Sequence, residues 1–152
     1  MRIGLVSDTH GLLRPAVLDW LRGSDRILHA GDICSPDVLQ RLGALAPVTA
    51  VRGNNDAGPW ADALATIERT RIGGVEILVV HDLADVPADV ETSGVQVVVC
   101  GHSHKPRVEQ RGPVLYVNPG SAGPRRFRLP ISAGELRIEG GRVSAHLREF
   151  TA

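Results

Sequence analysis

The sequence predicts an α/β fold, two mixed β-sheets packed face to face with helices outside. Three observations point there. The first third alternates short apolar runs with amphipathic segments in the order strand, helix, strand, helix, strand. The rest carries paired apolar runs joined by tight glycine-containing turns, the signature of hairpins. The chain of 152 residues, 43% hydrophobic and 22% charged, has the size and composition of one domain, 1–152, with a full core.

The elements follow in order. Residues 2–6 read as a buried strand. Residues 14–21, with Val17, Leu18 and Leu21 on one side and Pro15 in the first turn, read as a short amphipathic helix. Residues 26–30 are a second strand. Ser35 caps a second helix that has Pro36 at its first position and ends near Gly43. Residues 48–51 are a third strand. Strands 66–72 and 75–80 flank Gly73-Gly74, a two-residue hairpin signal. Residues 83–90 are expected to form a short helix. Residues 95–100 are rich in β-branched side chains and do not alternate, as in a strand covered on both faces. Two further hairpins follow, 107–110 with 114–117 and 131–138 with 142–150.

Bulk properties narrow the function. A formal net charge of zero argues against binding a polyanion through a global basic field, and 3% aromatic residues do not build a stacking platform for single strands. Nucleic acid is therefore not an expected partner. No apolar stretch reaches the ~18–20 residues of a membrane helix, and Ser7 and Asp8 break the first apolar run too early for a signal peptide. The two cysteines, Cys34 and Cys100, make neither a disulfide framework nor a Cys-x-x-Cys site. A reducing cytoplasm is the expected location.

The chemistry lies at the strand ends. Asp8-Thr9-His10 follows the first strand, Gly31-Asp32 the second and Gly53-Asn54-Asn55-Asp56 the third. His81-Asp82 follows residues 75–80, and Gly101-His102-Ser103-His104 follows residues 95–100. One such cluster is an ordinary turn or helix cap. Five, holding four of the six histidines, predict a metal site, because open α/β sheets bind ligands beyond the carboxyl ends of their strands. Carboxylate, imidazole and amide oxygen together suit transition metals better than Mg²⁺ or Ca²⁺. Without a thiolate cluster, a structural zinc site is excluded. Seven donors exceed the needs of one ion and match two ions sharing a bridging carboxylate.

These motifs, in this order, resemble the calcineurin-like metallophosphoesterase superfamily. The short length and Asn118-Pro119-Gly120-Ser121 resemble its small bacterial and archaeal phosphodiesterase branch. The resemblance implies a four-layer α/β/β/α sandwich. It implies that Asp8, His10 and His104 hold one metal and Asn54, His81 and His102 the other, with Asp32 bridging. It implies two divalent ions, Mn²⁺ first and Ni²⁺, Fe²⁺ or Zn²⁺ as alternatives. The activity expected is hydrolysis of a small phosphodiester by a metal-bridging hydroxide attacking phosphorus in line. Asp32, Asn54 and His10 are the catalytic candidates, and Asn54, Asn55 and Arg125 the substrate contacts. A phosphomonoesterase or nucleotidase is the alternative within the class. A binding module like the retromer subunit with this fold is the alternative outside it. The family also leaves a homo-oligomer open.

Two departures stand out. Asn55 occupies a position where many relatives carry a histidine that protonates the leaving group, and Asp82 follows His81 where glycine is usual. Asp56 reads as a turn stabiliser or as a group that orients a neighbour, Asp82 as a helix cap or partner of a ligand, His29 as a packed strand residue and His146 as solvent-facing. Cys34 and Cys100 are expected in the core. The run Arg125, Arg126 and Arg128 is a solvated face or a contact for substrate phosphate.

Overall fold

The computed structural model describes residues 1–126 and 128–151, so positions 127 and 152 of the expected 1–152 domain lie outside the described residues. The expected architecture is present as two five-stranded mixed sheets. The first contains β1 (Arg2–Val6), β2 (Arg26–His29), β3 (Val48–Ala50), β9 (Ile131–Glu139) and β10 (Arg142–Phe150), in the spatial order β10-β9-β1-β2-β3. The second contains β4 (Ile67–Ile72), β5 (Val75–Val80), β6 (Val97–Val99), β7 (Arg107–Arg111) and β8 (Val114–Asn118), in the order β4-β5-β6-β8-β7. Strands β1, β2 and β3 are parallel, as are β5, β6 and β8, and the hairpin strands complete each sheet antiparallel.

Three apolar layers hold this together. Ile3, Leu5, Leu28, Ile77, Val79, Val97, Val99 and Leu136 fill the space between the sheets. Val6 and Ile27 point to the other side of the first sheet. There they meet Val17 and Leu21 of α1 (Pro15–Leu21), and Val38 and Leu42 of α2 (Pro36–Gly43). Leu78, Val80, Val98 and Cys100 face outward from the second sheet under Val90 and Val95. Strands buried on both faces read as continuous apolar runs because each alternate side chain has a layer to enter.

The covering layer on that last face differs from expectation. Residues 83–90 do not form a helix; two short 3-10 turns, Leu83–Asp85 and Val90–Thr92, stand there instead. Pro87 supplies the reason. It lacks a backbone donor and pushes the preceding residue out of the helical region, and Val86 is extended at ψ 127°. A single helical turn, α3 (Pro59–Asp62), forms where none was expected. Elsewhere the boundaries agree to within two residues, and Ser35 Oγ accepts from the Asp37 N–H as a helix cap.

Candidate metal centre

The carboxyl ends of β1, β2, β3, β5 and β6 converge, and the loops that leave them carry the expected donors. Their backbone is unusual. Asp8, His10, Asp32, Cys34, His102 and His104 all have φ between 46° and 71°, the left-handed region. That conformation costs a non-glycine residue roughly 1–2 kcal/mol. Five of these six residues are expected ligands, so the loops hold the side chains against a local preference, as functional sites do when the surrounding structure enforces the shape.

Glycines make the approach close enough. A Cβ on Gly53 would collide with Asp32, one on Gly101 with Ser7 and Asp8, and one on Gly31 with the His81 ring. The glycines preceding Asp32, Asn54 and His102 are therefore required by contact with other ligand loops, as expected from sequence.

Two overlapping groups of donors result. Asp8, His10 and His104 offer atoms that all lie within 4.8 Å of one another, and so do Asp8, Asp32 and His81. His104 Nε2 is 3.4 Å and His10 Nε2 3.9 Å from Asp8 Oδ1. Asp32 Oδ2 lies between the groups, 3.6 Å from His10 Nε2 and 3.3 Å from His81 Nε2. Asn54 Oδ1 is 2.9 Å from His81 Nε2. His102 stands at the edge of the second group, about half exposed, its ring edge-on to His81 at 5.1 Å.

The residues fit a cation. Asp8 Oδ1, His10 Nε2 and His104 Nδ1 are buried without a hydrogen-bond partner among the described residues. Buried polar atoms are normally satisfied, so such a concentration marks a place for a ligand. His81 Nδ1 lies 2.7 Å from the Ala30 carbonyl, which can only accept, so Nδ1 carries the proton. In the neutral ring Nε2 then presents its lone pair toward Asn54 and Asp32. A backbone acceptor fixing the tautomer is the usual support of a ligand imidazole.

Charge is tuned accordingly. Burial would raise the Asp8 carboxyl, but the neighbouring His104 imidazole and the hydrogen bond from Ser7 hold it below its ordinary value. Burial likewise opposes ionisation of Asp32, yet hydrogen bonds from His81 and from the Asn55 backbone and side chain outweigh it and lower its pKa. Burial lowers His10, against the pull of Asp32. For His81, hydrogen bonds to Asp32 and Ala30 overcome burial and raise it.

The remaining sequence expectations divide. Asn55 faces the centre and clamps both oxygens of Asp32, its N–H donating to Oδ1 and Nδ2 to Oδ2, each at 2.9 Å. Asp56 does more than close a turn. Its carboxylate accepts from the N–H groups of Gly53 and Cys34, tying the second and third ligand loops together. Asp82 Oδ1 caps the following 3-10 turn, and Oδ2 lies 3.8 Å from His102 Nε2. Arg125 Nε donates to the Leu129 carbonyl, and Arg125 lines a cavity with Ile131, Glu149 and Phe150. Arg126 is the member of that run whose charge acts on His10 and Cys34.

Cys100 is buried as expected, but Cys34 is exposed. Its loop crosses the sheet edge instead of entering the core, and Sγ lies 3.6 Å from His10 Nδ1. His29 is fully buried, with Nδ1 accepting from the Gly31 N–H and Nε2 3.0 Å from Thr9 Oγ1. His146 is exposed in β10.

Sequence reasoning missed the braces. Ser7 Oγ and the His102 N–H both donate to Asp8 Oδ2, which leaves Oδ1 for a ligand. Asn118 Nδ2 donates to the Gly101 carbonyl and Ser103 Oγ, and Ser121 Oγ donates to the Asp8 carbonyl. The stretch Asn118-Pro119-Gly120-Ser121, noticed only as a resemblance, was the available signal.

A family model described as the calcineurin-like phosphoesterase superfamily domain matches residues 1–141. The chain belongs to that superfamily. Within it, a probable metallophosphoesterase of Methanothermobacter thermautotrophicus is 35% identical over 158 residues, covering 97% of this chain and 91% of that one. Phosphodiesterase YfcE of Escherichia coli is 29% identical, over 90% of this chain and 87% of its own; its solved structure has a TM-score of 0.70, covering 90% of this chain and 88% of that one. Vps29 of Chaetomium thermophilum superposes with a TM-score of 0.85 over 99% of this chain and 89% of that one, at 17% identity, a likeness of fold alone.

Proposed function

We propose that this calcineurin-like phosphoesterase is a dinuclear-metal phosphodiesterase. The observation that carries the reading is the position of Asp32 Oδ2, between the His10 and His81 imidazoles at 3.6 and 3.3 Å. A carboxylate oxygen placed between two donor groups suits a bridge. Asp8, His10 and His104 would hold one ion and Asn54, His81 and His102 the second. Divalent cations bound there would neutralise charge on the phosphoryl oxygens and acidify a water for in-line attack on phosphorus.

The chain's own residues do the rest. Asn54 supplies an oxygen donor without a negative charge, which keeps the centre attractive to an anionic ester. Asn55 holds Asp32 in place through both carboxylate oxygens. Its amide has no proton to give at neutral pH, so esters with good leaving groups are favoured. Asp8, His10 and Asp32 sit on rigid strand ends, which limits reorganisation during turnover.

The test is hydrolysis of bis-p-nitrophenyl phosphate and p-nitrophenyl phosphate by metal-stripped protein, before and after Mn²⁺, Ni²⁺, Fe²⁺ or Zn²⁺ is restored. Metal-dependent turnover with the diester preferred is expected. Preference for the monoester would move the reading to a phosphomonoesterase. A folded, metal-loaded protein that cleaves neither ester would be a binding module.

A further inference from the structure

A cavity of about 200 Å³ opens on the outer face of the second sheet, and nothing above uses it. Its walls come from the ligand loops. Leu83 follows His81 by two residues; Ser103 lies between His102 and His104, and Lys105 comes next. Asn118, which braces the His102 loop through Gly101 and Ser103, lines it as well. The cavity is therefore built from the segments that position the second metal group.

Its surface has two characters. The floor is apolar, made by Cys100 and the Tyr116 ring. Leu83 lies at its wall, 41% exposed, one of few large aliphatic side chains left to solvent. The rim is cationic. Lys105, Arg107 and Arg111 line it with one carboxylate among the described residues, Glu109, which pairs with both arginines at 3.0 and 2.9 Å. The Arg111 guanidinium stacks over the Tyr116 ring at 4.7 Å, an arrangement that presents a flat cationic face. The volume is below the ~300–1,000 Å³ of a pocket for a whole drug-sized ligand, which leaves room for a single ring and its substituent.

We propose that this cavity is the subsite for one ester arm of the substrate, and that the arm is a flat ring bearing a second anionic group. The arm lies over Leu83 and Tyr116 and meets the cationic rim of Lys105, Arg107 and Arg111. The proposal rests on the phosphoesterase reading for the place of the phosphoryl group. It adds a substrate class: phosphoesters with an anionic aromatic arm rather than small alkyl esters.

Binding, not turnover, tests it. The Mn²⁺-loaded protein is titrated in a calorimeter with methylphosphonate, phenylphosphonate and 4-carboxyphenylphosphonate, none of which is hydrolysed. Affinity is expected to rise in that order, by about tenfold or more from first to last. Lys105→Ala and Arg107→Ala, both at exposed positions, should remove the gain from the carboxylate but keep the gain from the ring. Leu83→Ala should reduce the gain from the ring. Equal affinity for the three ligands, no binding of any of them, or gains that survive all three substitutions would overturn the subsite. Hydrolysis of bis-p-nitrophenyl phosphate by the same preparations reports separately on the phosphoesterase reading, so the two can fail independently.

Discussion

At the scale of single residues, the centre depends on groups that hold ligands as much as on the ligands. Asn55 is the sharpest case, since its N–H and its Nδ2 donate to the two oxygens of Asp32. Replacing a support of this kind costs 10–100-fold in metal affinity or activity. Asn55→Ala should lower Mn²⁺ affinity by about that factor in calorimetry while leaving the circular dichroism spectrum unchanged; unchanged affinity would remove Asn55 from the centre. Gly101→Ala acts by crowding. Its Cβ would meet Ser7 Oγ and Asp8 Oδ2. Overpacking of this sort costs about 1–3 kcal/mol, so urea denaturation should show a lower midpoint, and bound metal should fall with it.

At the scale of elements, four of the ligand loops are short excursions from strands buried on both faces, and the Asn54 loop leaves the edge strand β3, which is half-buried. The strand end is rigid, and the loop makes its turn with residues in the left-handed region rather than with glycine alone. Helices contribute elsewhere, packing the far side of the first sheet. Ser35 is a local example of how they begin, with its Oγ accepting from the Asp37 N–H at 3.3 Å. Loss of such a cap costs about 1 kcal/mol. Ser35→Ala should therefore lower the urea midpoint modestly without changing metal content, which separates helix stability from the centre. The contrast at residues 83–90 is instructive. Apolar spacing alone suggests a helix there, and Pro87 decides otherwise.

At the scale of the whole molecule, the centre ties both sheets together, because Asp8 and Asp32 come from the first and His81, His102 and His104 from the second. Metal that binds only the folded chain stabilises it, by about 2.7 kcal/mol at a hundredfold excess over Kd. A thermal melt should shift upward on adding Mn²⁺ and return with chelator. Acid should act through His29 in the chelated protein. Burial pushes this imidazole down to about 4 from its ordinary 6.5. Protonating Nδ1 would set it against the Gly31 N–H that it now accepts from. The unfolded chain therefore binds the proton more readily. The stability contributed by keeping His29 neutral is fully present above pH 6.5 and is lost as pH falls toward 4, by up to about 3 kcal/mol. Urea midpoints across that range, compared between the wild type and His29→Gln, isolate this contribution; a parallel pH profile in the variant would refute it.

The sequence by itself determined the α/β class, most elements and the donors expected in the metal groups. These were legible because strand and helix periodicities differ, and because carboxylates and imidazoles recurring after buried strands must meet where the strands end. What only the tertiary structure decided are relations between distant residues. It decided that Asp32 Oδ2 lies between His10 and His81, and that Arg125 Nε donates to the Leu129 carbonyl. It exposed Cys34 at the sheet edge and gave Asn55 and Asp56 their partners across loops. The physical reason is the same in each case. Periodicity and residue type report which face or strand end a side chain occupies, whereas its direction there is set by backbone torsions. The left-handed torsions at Asp8, His10, Asp32, His102 and His104 are imposed by packing against other loops, and no residue-type preference announces them.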